Sequence, residues 1–419
     1  MATTWRVARA LRHRNYRLFF LGQGTSQIGT WLSKFATSWM AYRLTGSPFM
    51  LGLVTFFNNA PTPLIAPFAG VFVDRRNRHH VIIATQCAAA VQSAALAAFA
   101  FTGTMTVWHL MWLGAAQGVI NAFDMPARQS FLREMIDDPA DLPNAIALNS
   151  SMVNGAKLIG PAIAAVLVGL VGEAWCFAVD AASYLAVIGS LMVMTVKPRP
   201  MTPRSGRVIA DIVDGVRYAG SVPIVRSVLI LLAITSVLGG AYTALLPVIA
   251  GKNLHGGPGT LGVLMTAAGL GALSGALYLA SRSTVVGLGR IIGITVLGLG
   301  VGMIALELAT ATWIAAVLLY IIGASLMIQM AATNTIVQTV TPPDKLGRVM
   351  SLYLVAFTGG TPLGALIEGS LASHIGAIHA FAIAGVVCLA SGIWFMRSLP
   401  ELRALTRPLY VELGILDHH

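Results

Sequence analysis

The sequence is short of charge. Only 10% of its 419 residues are Asp, Glu, Lys or Arg, whereas 56% are hydrophobic. Soluble domains carry about 25% charged residues, so this chain has too few to cover the surface of a soluble protein of its size. Disorder is excluded because it requires low hydrophobicity. Long apolar runs exclude the short alternating strands of a membrane barrel. A helical membrane protein with several spans remains.

Other absences exclude most kinds of chemistry. The three cysteines, Cys87, Cys176 and Cys388, lie in separate apolar segments and offer neither a metal-binding spacing nor a disulfide framework. No phosphate-binding loop, dinucleotide fingerprint or catalytic constellation of Ser, His and Asp fits a helical membrane chain. We therefore expect no cofactor, no metal and no enzymatic activity. The net charge of +11 comes from loops between apolar segments, so it does not indicate nucleic acid.

Twelve apolar segments are long enough to cross the bilayer, which requires about 20 residues. These predicted spans lie at 17–43, 49–73, 80–102, 106–130, 143–171, 175–196, 224–250, 260–280, 288–309, 311–337, 347–374 and 379–399. The predicted fold class is therefore an all-α membrane protein.

Basic residues orient the spans, because Lys and Arg are enriched in cytoplasmic loops. All but four of the 27 lie on one predicted side of the membrane, either in the loops there or at the span ends that border them. Arg43 and Lys252 fall on the opposite side, and Lys34 and Lys157 lie inside spans. The bias predicts a multi-pass protein of the cell inner (plasma) membrane with both termini in the cytoplasm. No cleavage site follows the basic start, so span one is expected to be retained.

The two halves of the chain resemble each other weakly. Thr25-Ser26 with Gly29 recurs as Thr235-Ser236 with Gly239, and Leu51-Gly52 recurs as Leu261-Gly262. We predict two pseudo-symmetric six-helix halves, 1–196 and 224–399, the layout of a transporter with its site between repeats. A cytoplasmic linker at 197–223 is expected to contain an amphipathic helix, and 400–419 is expected to form a cytoplasmic tail.

Specific motifs indicate a family. The segment from Gly70 to His79, with Asp74-Arg75 at its centre, resembles the loop signature of the major facilitator superfamily. The resemblance implies a gating loop, whose expected residues are Gly70, Asp74, Arg75, Arg78 and, at the start of span eleven, Arg348.

Span five carries Gly155, Gly160 and Pro161, and these are similar to the antiporter motif of exporters in that superfamily. The segments 11–17, 121–131 and 142–151 resemble one exporter branch, which contains the enterobactin exporter and the macrolide-efflux-like transmembrane secretion effectors. One departure concerns coupling. Antiporters of the superfamily often carry an Arg three residues before a Gln-Gly pair in span four, and Gly114 stands at that position.

Polar residues form stripes on three spans of the first half. Steps of three and four residues place each set on one helical face, and the sets are Gln23, Gln27, Thr30, Lys34 and Ser38 on span one, Gln117, Asn121, Asp124 and Arg128 on span four, and Ser150, Asn154, Lys157 and Pro161 on span five. Such stripes are typical either of a water-filled cavity or of hydrogen bonds that hold helices together.

The second half is more apolar, which favours an amphipathic substrate. The expected substrate contacts are Gln23, Gln27, Trp31, Asn58, Asn59, Tyr242, Gln329 and Asn334. The expected intramembrane charges, some of which would couple transport to protons, are Lys34, Asp124, Arg128, Lys157, Asp180 and Glu368.

Lys157 lies nearest to a span centre and is expected to pair alternately with Asp124 and Asp180 during transport. Two simpler alternatives remain open at the level of sequence. Lys157 and the acids form a static salt bridge, or Asp124 pairs with Arg128 four residues away.

The sequence thus predicts a secondary active transporter that exports small amphipathic molecules of a drug-like or siderophore-like kind by alternating access, in exchange for protons. The alternative is an importer or uniporter of the same fold. Its expected partners are the lipid bilayer, a small-molecule substrate and protons, and it is expected to be a monomer that does not bind nucleic acid.

Overall fold

The computed structural model describes residues 8–195, 208–282 and 284–412, and these residues are almost entirely helical. The helices before residue 196 are α1 (Arg14–Thr45), α2 (Pro48–Asn59), α3 (Pro61–Asp74), α4 (Arg78–Phe101), α5 (Val107–Phe131), α6 (Leu142–Val171) and α7 (Glu173–Met192). Those after residue 207 are α8 (Val208–Ser221), α9 (Pro223–Leu238), α10 (Tyr242–Val248), α11 (Pro258–Ala280), α12 (Leu288–Ala305), α13 (Thr312–Val340), α14 (Pro343–Ile375) and α15 (Ala377–Glu412).

Local sequence explains where several helices begin and end. Helix α1 ends at Thr45 because Gly46 adopts a φ of 58°, a left-handed conformation that glycine takes without steric cost. Asn77 caps α4 by accepting a hydrogen bond from the backbone N–H of His79. Thr106 caps α5 and forms a reciprocal capping box with His109.

Within the described ranges, ten helical segments are long and apolar enough to cross a membrane by length and composition, rather than the twelve that the sequence predicts. The ten are Pro48–Asp74, Arg78–Phe101, Pro139–Val171, Glu173–Met192, Pro223–Asn253, Pro258–Ala280, Leu288–Leu308, Thr312–Val340, Pro343–Ile375 and Ala377–Pro408. Helices α1 and α5 are long enough but stand outside this set, and both carry the polar stripes of spans one and four.

Three predicted spans differ in shape from expectation. Span two breaks into α2 and α3 just before Pro61, where the ring of a proline cannot continue the hydrogen-bond ladder. Span seven breaks after Leu238, at the pair Gly239-Gly240, and ends in a π-helical turn at Ile249–Asn253. The last helix continues to Glu412, although the apolar segment ends at 399.

Part of the predicted linker and tail, 197–207 and 413–419, lies outside the described residues. The rest of the linker forms α8, which packs against α9 and α14. Gly215 of α8 allows this contact, because a Cβ atom there would lie 2.9 Å from the carbonyl oxygen of Arg348. That the helix is amphipathic stays a prediction, because the side chains of 208–212 are not described.

The described residues fall into two compact units. The first contains the described parts of Met1–Gly46, Phe57–Gly206 and Gly257–Gly262. In this unit α1 packs against α6 and α7, α4 packs against α5 and α7, and α3 packs against α5. A cluster at one end joins Tyr16, Phe19, Ile82, Phe131 and Leu191, all of which are buried. Arg43 and Glu173 join α1 to α7, with Nε and Oε1 2.9 Å apart.

The second unit contains the described parts of Ser47–Phe56, Arg207–Gly256 and Val263–His419. Helix α12 packs against α13 and α15, and α9 packs against α14 and α15. Glycines let these helices approach closely. A Cβ atom on Gly364 of α14 would lie 1.7 Å from the carbonyl oxygen of Val237, and one on Gly271 of α11 would lie 1.9 Å from that of Tyr320. The domain boundaries predicted from the sequence stay predictions.

Candidate functional site

The polar stripe of α1 turns partly inward in the first unit. Gln23 is 3% exposed, and its side-chain oxygen accepts no hydrogen bond in the part of the chain that the structure describes. Gln27 is half-buried. Thr30 donates a hydrogen bond to the backbone oxygen of Ser26 at 3.0 Å, so its hydroxyl is satisfied within the helix. The side-chain oxygen of Gln23 is therefore available for a further hydrogen bond.

Trp31 is the residue around which two predicted charges gather. The Nζ atom of Lys34 lies 4.7 Å from the Trp31 ring centroid, and the Nζ atom of Lys157 lies 6.0 Å from it. Both distances allow a cation–π interaction, which operates within about 6 Å. Lys34 is exposed and Lys157 is half-buried. We call these three residues, Trp31, Lys34 and Lys157, the lysine–tryptophan face.

The exporter motif holds this face in position. A Cβ atom on Gly160 would lie 2.3 Å from the Cβ atom of Trp31, so only glycine allows α6 to approach α1 at this point. Gly155 differs, because a Cβ atom there would meet nothing within 4 Å. Pro161 is buried in the same helix. Of the three motif residues, Gly160 is the one whose lack of a side chain brings the two helices together.

Asp180 of α7 lies at the centre of a second polar group. It is 2% exposed, and its Oδ2 atom accepts a hydrogen bond from the Ser93 hydroxyl at 2.7 Å. Gln92 lies beside Ser93 and donates to the backbone oxygen of Leu113 at 3.1 Å. Gly29 brings α1 against this group, since a Cβ atom there would lie 3.0 Å from Oδ1 of Asp180. Helices α1, α4, α5 and α7 thus meet around one acid.

Asp124 of α5 is engaged by three donors. Its Oδ1 atom accepts hydrogen bonds from the Thr85 hydroxyl and from Nε2 of Gln86, each at 2.9 Å. Its Oδ2 atom lies 2.6 Å from Nε of Arg128. The structure therefore pairs Asp124 with Arg128, which is one of the two simpler alternatives that the sequence leaves open.

Lys157 forms no ion pair with Asp124 or Asp180 among the residues that the structure describes. The Nζ atom of Lys157 instead lies over the ring of Trp31, as does the Nζ atom of Lys34. The alternate pairing of Lys157 with the two acids therefore stays a prediction.

The predicted contacts of span two lie near α5. A Cβ atom on Gly114 would lie 2.5 Å from Nδ2 of Asn58, so the absence of an Arg at this position makes room for the Asn58 amide. Asn59 is exposed. Gln117 donates to Oδ1 of Asn121 at 3.1 Å, which ties two members of the α5 stripe together.

The predicted site residues of the second unit are more enclosed. Tyr242 is 7% exposed and Gln329 is 2% exposed. The Thr235 hydroxyl donates to Oε1 of Gln329 at 3.0 Å, and Asn334 accepts a hydrogen bond from Gln338 on the same helix. Glu368 is 1% exposed, and neither of its carboxyl oxygens has a hydrogen-bond partner within the described ranges.

Three of the five predicted gating residues form ion pairs inside their own units. Arg78 lies 3.7 Å from Asp74 and also pairs with Glu134. Arg75 is exposed and Gly70 has open space around it. In the second unit Arg348 lies 3.4 Å from Asp214 of α8. A gating role for these residues stays a prediction.

Sequence reasoning missed the polar residues of α4. Thr85, Gln86, Gln92 and Ser93 are all buried. Thr85 and Gln86 donate hydrogen bonds to Asp124, and Ser93 donates one to Asp180. The sequence does contain a signal, because the polar pair Thr85-Gln86 lies about two helical turns before the polar pair Gln92-Ser93, on the same side of the helix. Two pairs are too few to form a continuous stripe, and the residues around them are apolar.

These features define a class of protein. A helical chain with many spans, two compact units and charged residues inside its membrane helices is typical of a secondary transporter.

Two solved transporters share its fold. One is a bacterial homologue of the human lysosomal transporter Spinster in an inward-facing, unoccupied conformation, with a TM-score of 0.70, 15% identity and coverage of 94% of this chain and 97% of that one. The other is a POT family transporter in complex with 5-aminolevulinic acid, with a TM-score of 0.74, 12% identity and coverage of 93% and 96%.

The chain belongs to the transmembrane secretion effector family, whose model matches residues 5–408. It is therefore a transporter of the major facilitator superfamily and an integral protein of the cell membrane. Similar proteins include the staphyloferrin A transporter of Staphylococcus aureus, 22% identical over 92% of this chain and 97% of the relative. The enterobactin exporter EntS of Citrobacter koseri is 24% identical over 96% of each chain. The multidrug efflux pump Tap of Mycolicibacterium fortuitum is 25% identical over 92% of this chain and 96% of the relative.

Proposed function

We propose that this protein is a secondary active exporter that moves small amphipathic molecules out of the cell in exchange for protons. In this proposal α1 and α5 also cross the membrane, which completes twelve spans with both termini in the cytoplasm. Substrate contacts include Gln27 and Trp31 of α1.

The observation that carries the proposal is the lysine–tryptophan face on α1 and α6. A lysine at the centre of a membrane helix costs on the order of 3 kcal/mol on insertion scales. Two such lysines lie beside one aromatic ring without an acid paired to either among the described residues. Charges of this kind mark substrate or ion pathways in membrane proteins, because nothing in the bilayer compensates for their cost.

Outward transport is supported by similar proteins that are themselves exporters or efflux pumps. An enterobactin exporter and a multidrug efflux pump match this chain over more than nine-tenths of its length. Both proteins are named for outward movement of their substrates, and for this chain outward movement is our proposal.

Proton exchange needs a group that binds and releases a proton inside the membrane. Glu368 is the strongest candidate in the second unit, because a charged carboxylate buried without a hydrogen-bond donor is costly. Asp180 is the candidate in the first unit, since its side chain is buried and its Oδ1 atom has no hydrogen-bond partner among the described residues. Asp124 is a weaker candidate because Arg128 already compensates its charge.

A transport assay in intact cells tests the proposal. Cells that produce the protein are loaded with the anionic dye carboxyfluorescein or the cationic dye rhodamine 123, and efflux is followed with and without a proton uncoupler. We expect faster efflux of at least one dye than in cells without the protein, and loss of that difference on uncoupling. The variant Trp31→Ala should lose the difference, whereas Trp313→Ala, which removes a tryptophan that is 70% exposed, should retain it. Efflux that the uncoupler leaves unchanged would contradict proton exchange.

A further inference from the structure

The charges around the lysine–tryptophan face do not balance. The charged groups that act on Lys34 are Lys157 and Arg128, which are cations, and Asp180, which is an acid. Arg128 is itself compensated by Asp124 at 2.6 Å. Lys34 and Lys157 lie beside the same ring, and Asp180 is the one acid among the groups that act on Lys34. When both ammonium groups are protonated, one positive charge is left over.

Asp180, the remaining acid, forms an ion pair with neither lysine among the described residues. It accepts a hydrogen bond from Ser93 at 2.7 Å. Lys34 is exposed at the surface of the unit. Exposure to hydrocarbon would be costly for its ammonium group, so a polar surface is the environment that this side chain requires.

The ring between the two lysines adds a second kind of recognition. Trp31 offers an aromatic face, and aromatic rings pack well against planar groups of a ligand. The cations lie 4.7 Å and 6.0 Å from the ring centroid, so an anionic group that contacts them would bring an attached planar group close to the ring. Gly160 fixes this arrangement by holding α6 against Trp31.

We propose that the lysine–tryptophan face binds the negatively charged group of an organic anion, such as a carboxylate attached to an aromatic or otherwise planar body. The inference rests on the proposed export function and narrows its substrate class from amphipathic molecules in general to amphipathic anions. Lys34 and Lys157 recognise the charge, and Trp31 contacts the planar part.

An anionic substrate has an energetic consequence for export. A cell interior that is negative drives anions outward, and each charge moved is worth about 2.3 kcal/mol per 100 mV. Exchange of one outgoing anion for one incoming proton would move two charges in the favourable direction. Transport by this protein should therefore respond to membrane voltage as well as to a pH gradient.

Binding of carboxyfluorescein to the purified full-length protein in nanodiscs of zwitterionic lipid tests the inference by fluorescence anisotropy. The variants Lys34→Met and Lys157→Met should each bind the dye about tenfold to a hundredfold more weakly, the loss expected for a hydrogen bond to a charged group. Lys34→Arg keeps the charge and should bind within about threefold of the original protein, by the same reasoning.

Lys345→Met is the matched control. Its Nζ atom lies 4.8 Å from the ring centroid of Tyr218, so this variant also removes a lysine from an aromatic ring, but in the second unit. Carboxyfluorescein affinity should not change in this variant. Monodisperse elution of every variant in gel filtration confirms that each is folded before binding is compared.

The charge-reversing variant Lys34→Glu extends the test, because it should bind rhodamine 123 in preference to carboxyfluorescein.

Nanodiscs that contain anionic lipid distinguish a free anion from a lipid headgroup. Little change in dye affinity supports a soluble anion, whereas loss of dye binding in anionic lipid assigns the face to the headgroup and overturns the inference.

Two further results would also overturn the inference. One is the absence of carboxyfluorescein binding by the original protein, and the other is equal binding by the original protein and both Met variants. Either can occur while rhodamine 123 is still exported from cells, in which case the exporter function stands and only the anionic substrate class fails. Loss of uncoupler-sensitive efflux for both dyes would instead count against the exporter function itself.

Discussion

Asp124 is a buried carboxylate whose partners come from two helices. Substitution by Asn preserves an oxygen that accepts hydrogen bonds from Thr85 and Gln86 but removes the charge that compensates Arg128. Breaking a buried ion pair costs about 3–5 kcal/mol, because the remaining charge is left uncompensated. Since Arg128 is partly exposed, we expect Asp124→Asn to destabilise the protein by about 3 kcal/mol, measured as a lower thermal midpoint in detergent.

An exposed ion pair provides the control for this prediction. Arg12 and Asp138 lie 2.9 Å apart, and about half of each side chain is exposed. Exposed pairs contribute about 0–1 kcal/mol, so Asp138→Asn should barely change the midpoint. Equal midpoints for Asp124→Asn and Asp138→Asn would contradict a stabilising role of the Asp124–Arg128 pair.

Single residues also show where sequence reasoning stops. The stripe on α1 is visible in the sequence because Gln23, Gln27 and Lys34 follow a helical repeat. That Asp124 would pair with Arg128 rather than with Lys157 depends on side-chain directions and on donors from α4. Side-chain direction and the donors from α4 do not follow from a periodic pattern. The sequence could therefore name Arg128 and Lys157 as possible partners of Asp124 but could not choose between them.

Among the helices, the contact between α1 and α6 depends on Gly160. Substitution by Ala would place a Cβ atom 2.3 Å from the Cβ atom of Trp31, so the helices must move apart. Such overpacking typically costs about 1–3 kcal/mol. We expect Gly160→Ala to lower the thermal midpoint and to displace Trp31, which a change in tryptophan fluorescence should report.

Gly155 is the matched control for Gly160 because it lies in the same helix and motif. A Cβ atom at Gly155 meets nothing within 4 Å, and Ala favours a helix interior over Gly by about 1 kcal/mol. Gly155→Ala should therefore be neutral or slightly stabilising. A loss of stability as large as that of Gly160→Ala would show that close approach to Trp31 is not what the motif provides.

The segment before α1 is held by a second charged cluster. The carboxylate of Asp141 is buried and lies 2.8 Å from Nε of Arg12, 3.0 Å from Nε2 of His13 and 3.6 Å from Nε of Arg9. Asp141→Ala would leave these groups without their common partner. We expect trypsin to cut after Arg9 or Arg12 about tenfold faster in this variant, since release of about 1.4 kcal/mol of local stability raises the open population tenfold.

The exposed acid of the same cluster again provides a comparison. Asp138→Asn removes the charge of the outer partner of Arg12 and keeps the side-chain oxygen that accepts from the backbone N–H of Ala140 beside Asp141, so cleavage should change little. Mass spectrometry of the first fragments identifies the sites. Equal cleavage rates for Asp141→Ala and the original protein would show that the cluster does not hold the segment.

Helix boundaries were predictable where a single residue determines them and not where hydropathy changes gradually. Pro61 lies inside the predicted span two, and the structure breaks the helix there. Helix α15 continues beyond 399 although Glu401 and Arg403 follow. A span ends where its residues stop being apolar, but a helix ends only where its backbone hydrogen bonds stop. Hydropathy therefore could not place the end of α15.

At the scale of the whole molecule, composition and charge bias predict a helical membrane protein, and the internal repeat and the family motifs predict a transporter. Membership of the transmembrane secretion effector family confirms a transporter. The two helices that fall outside the apolar set, α1 and α5, carry two of the three polar stripes. A hydropathy threshold alone would remove helices that contribute Trp31, Lys34 and Asp124 to the candidate site. For a transporter, low hydropathy in a long helix is thus a useful indication of function.

The central claim is that outward transport exchanges a small amphipathic molecule for protons. Proteoliposomes with an acidic interior and a neutral, weakly buffered exterior test it directly, with carboxyfluorescein added outside. A weak acid distributes away from an acidic interior by passive diffusion, so its accumulation inside reports coupled transport. Uptake is measured after gel filtration, and proton release is measured with an external electrode.

We predict that carboxyfluorescein accumulates above its outside concentration while protons appear outside, and that nigericin abolishes both effects. Glu368→Gln or Asp180→Asn should abolish the gradient-driven accumulation without preventing dye equilibration across the membrane. Dye uptake that stops at the outside concentration at a rate independent of the pH gradient, or protons that enter together with the dye, would contradict proton-coupled export.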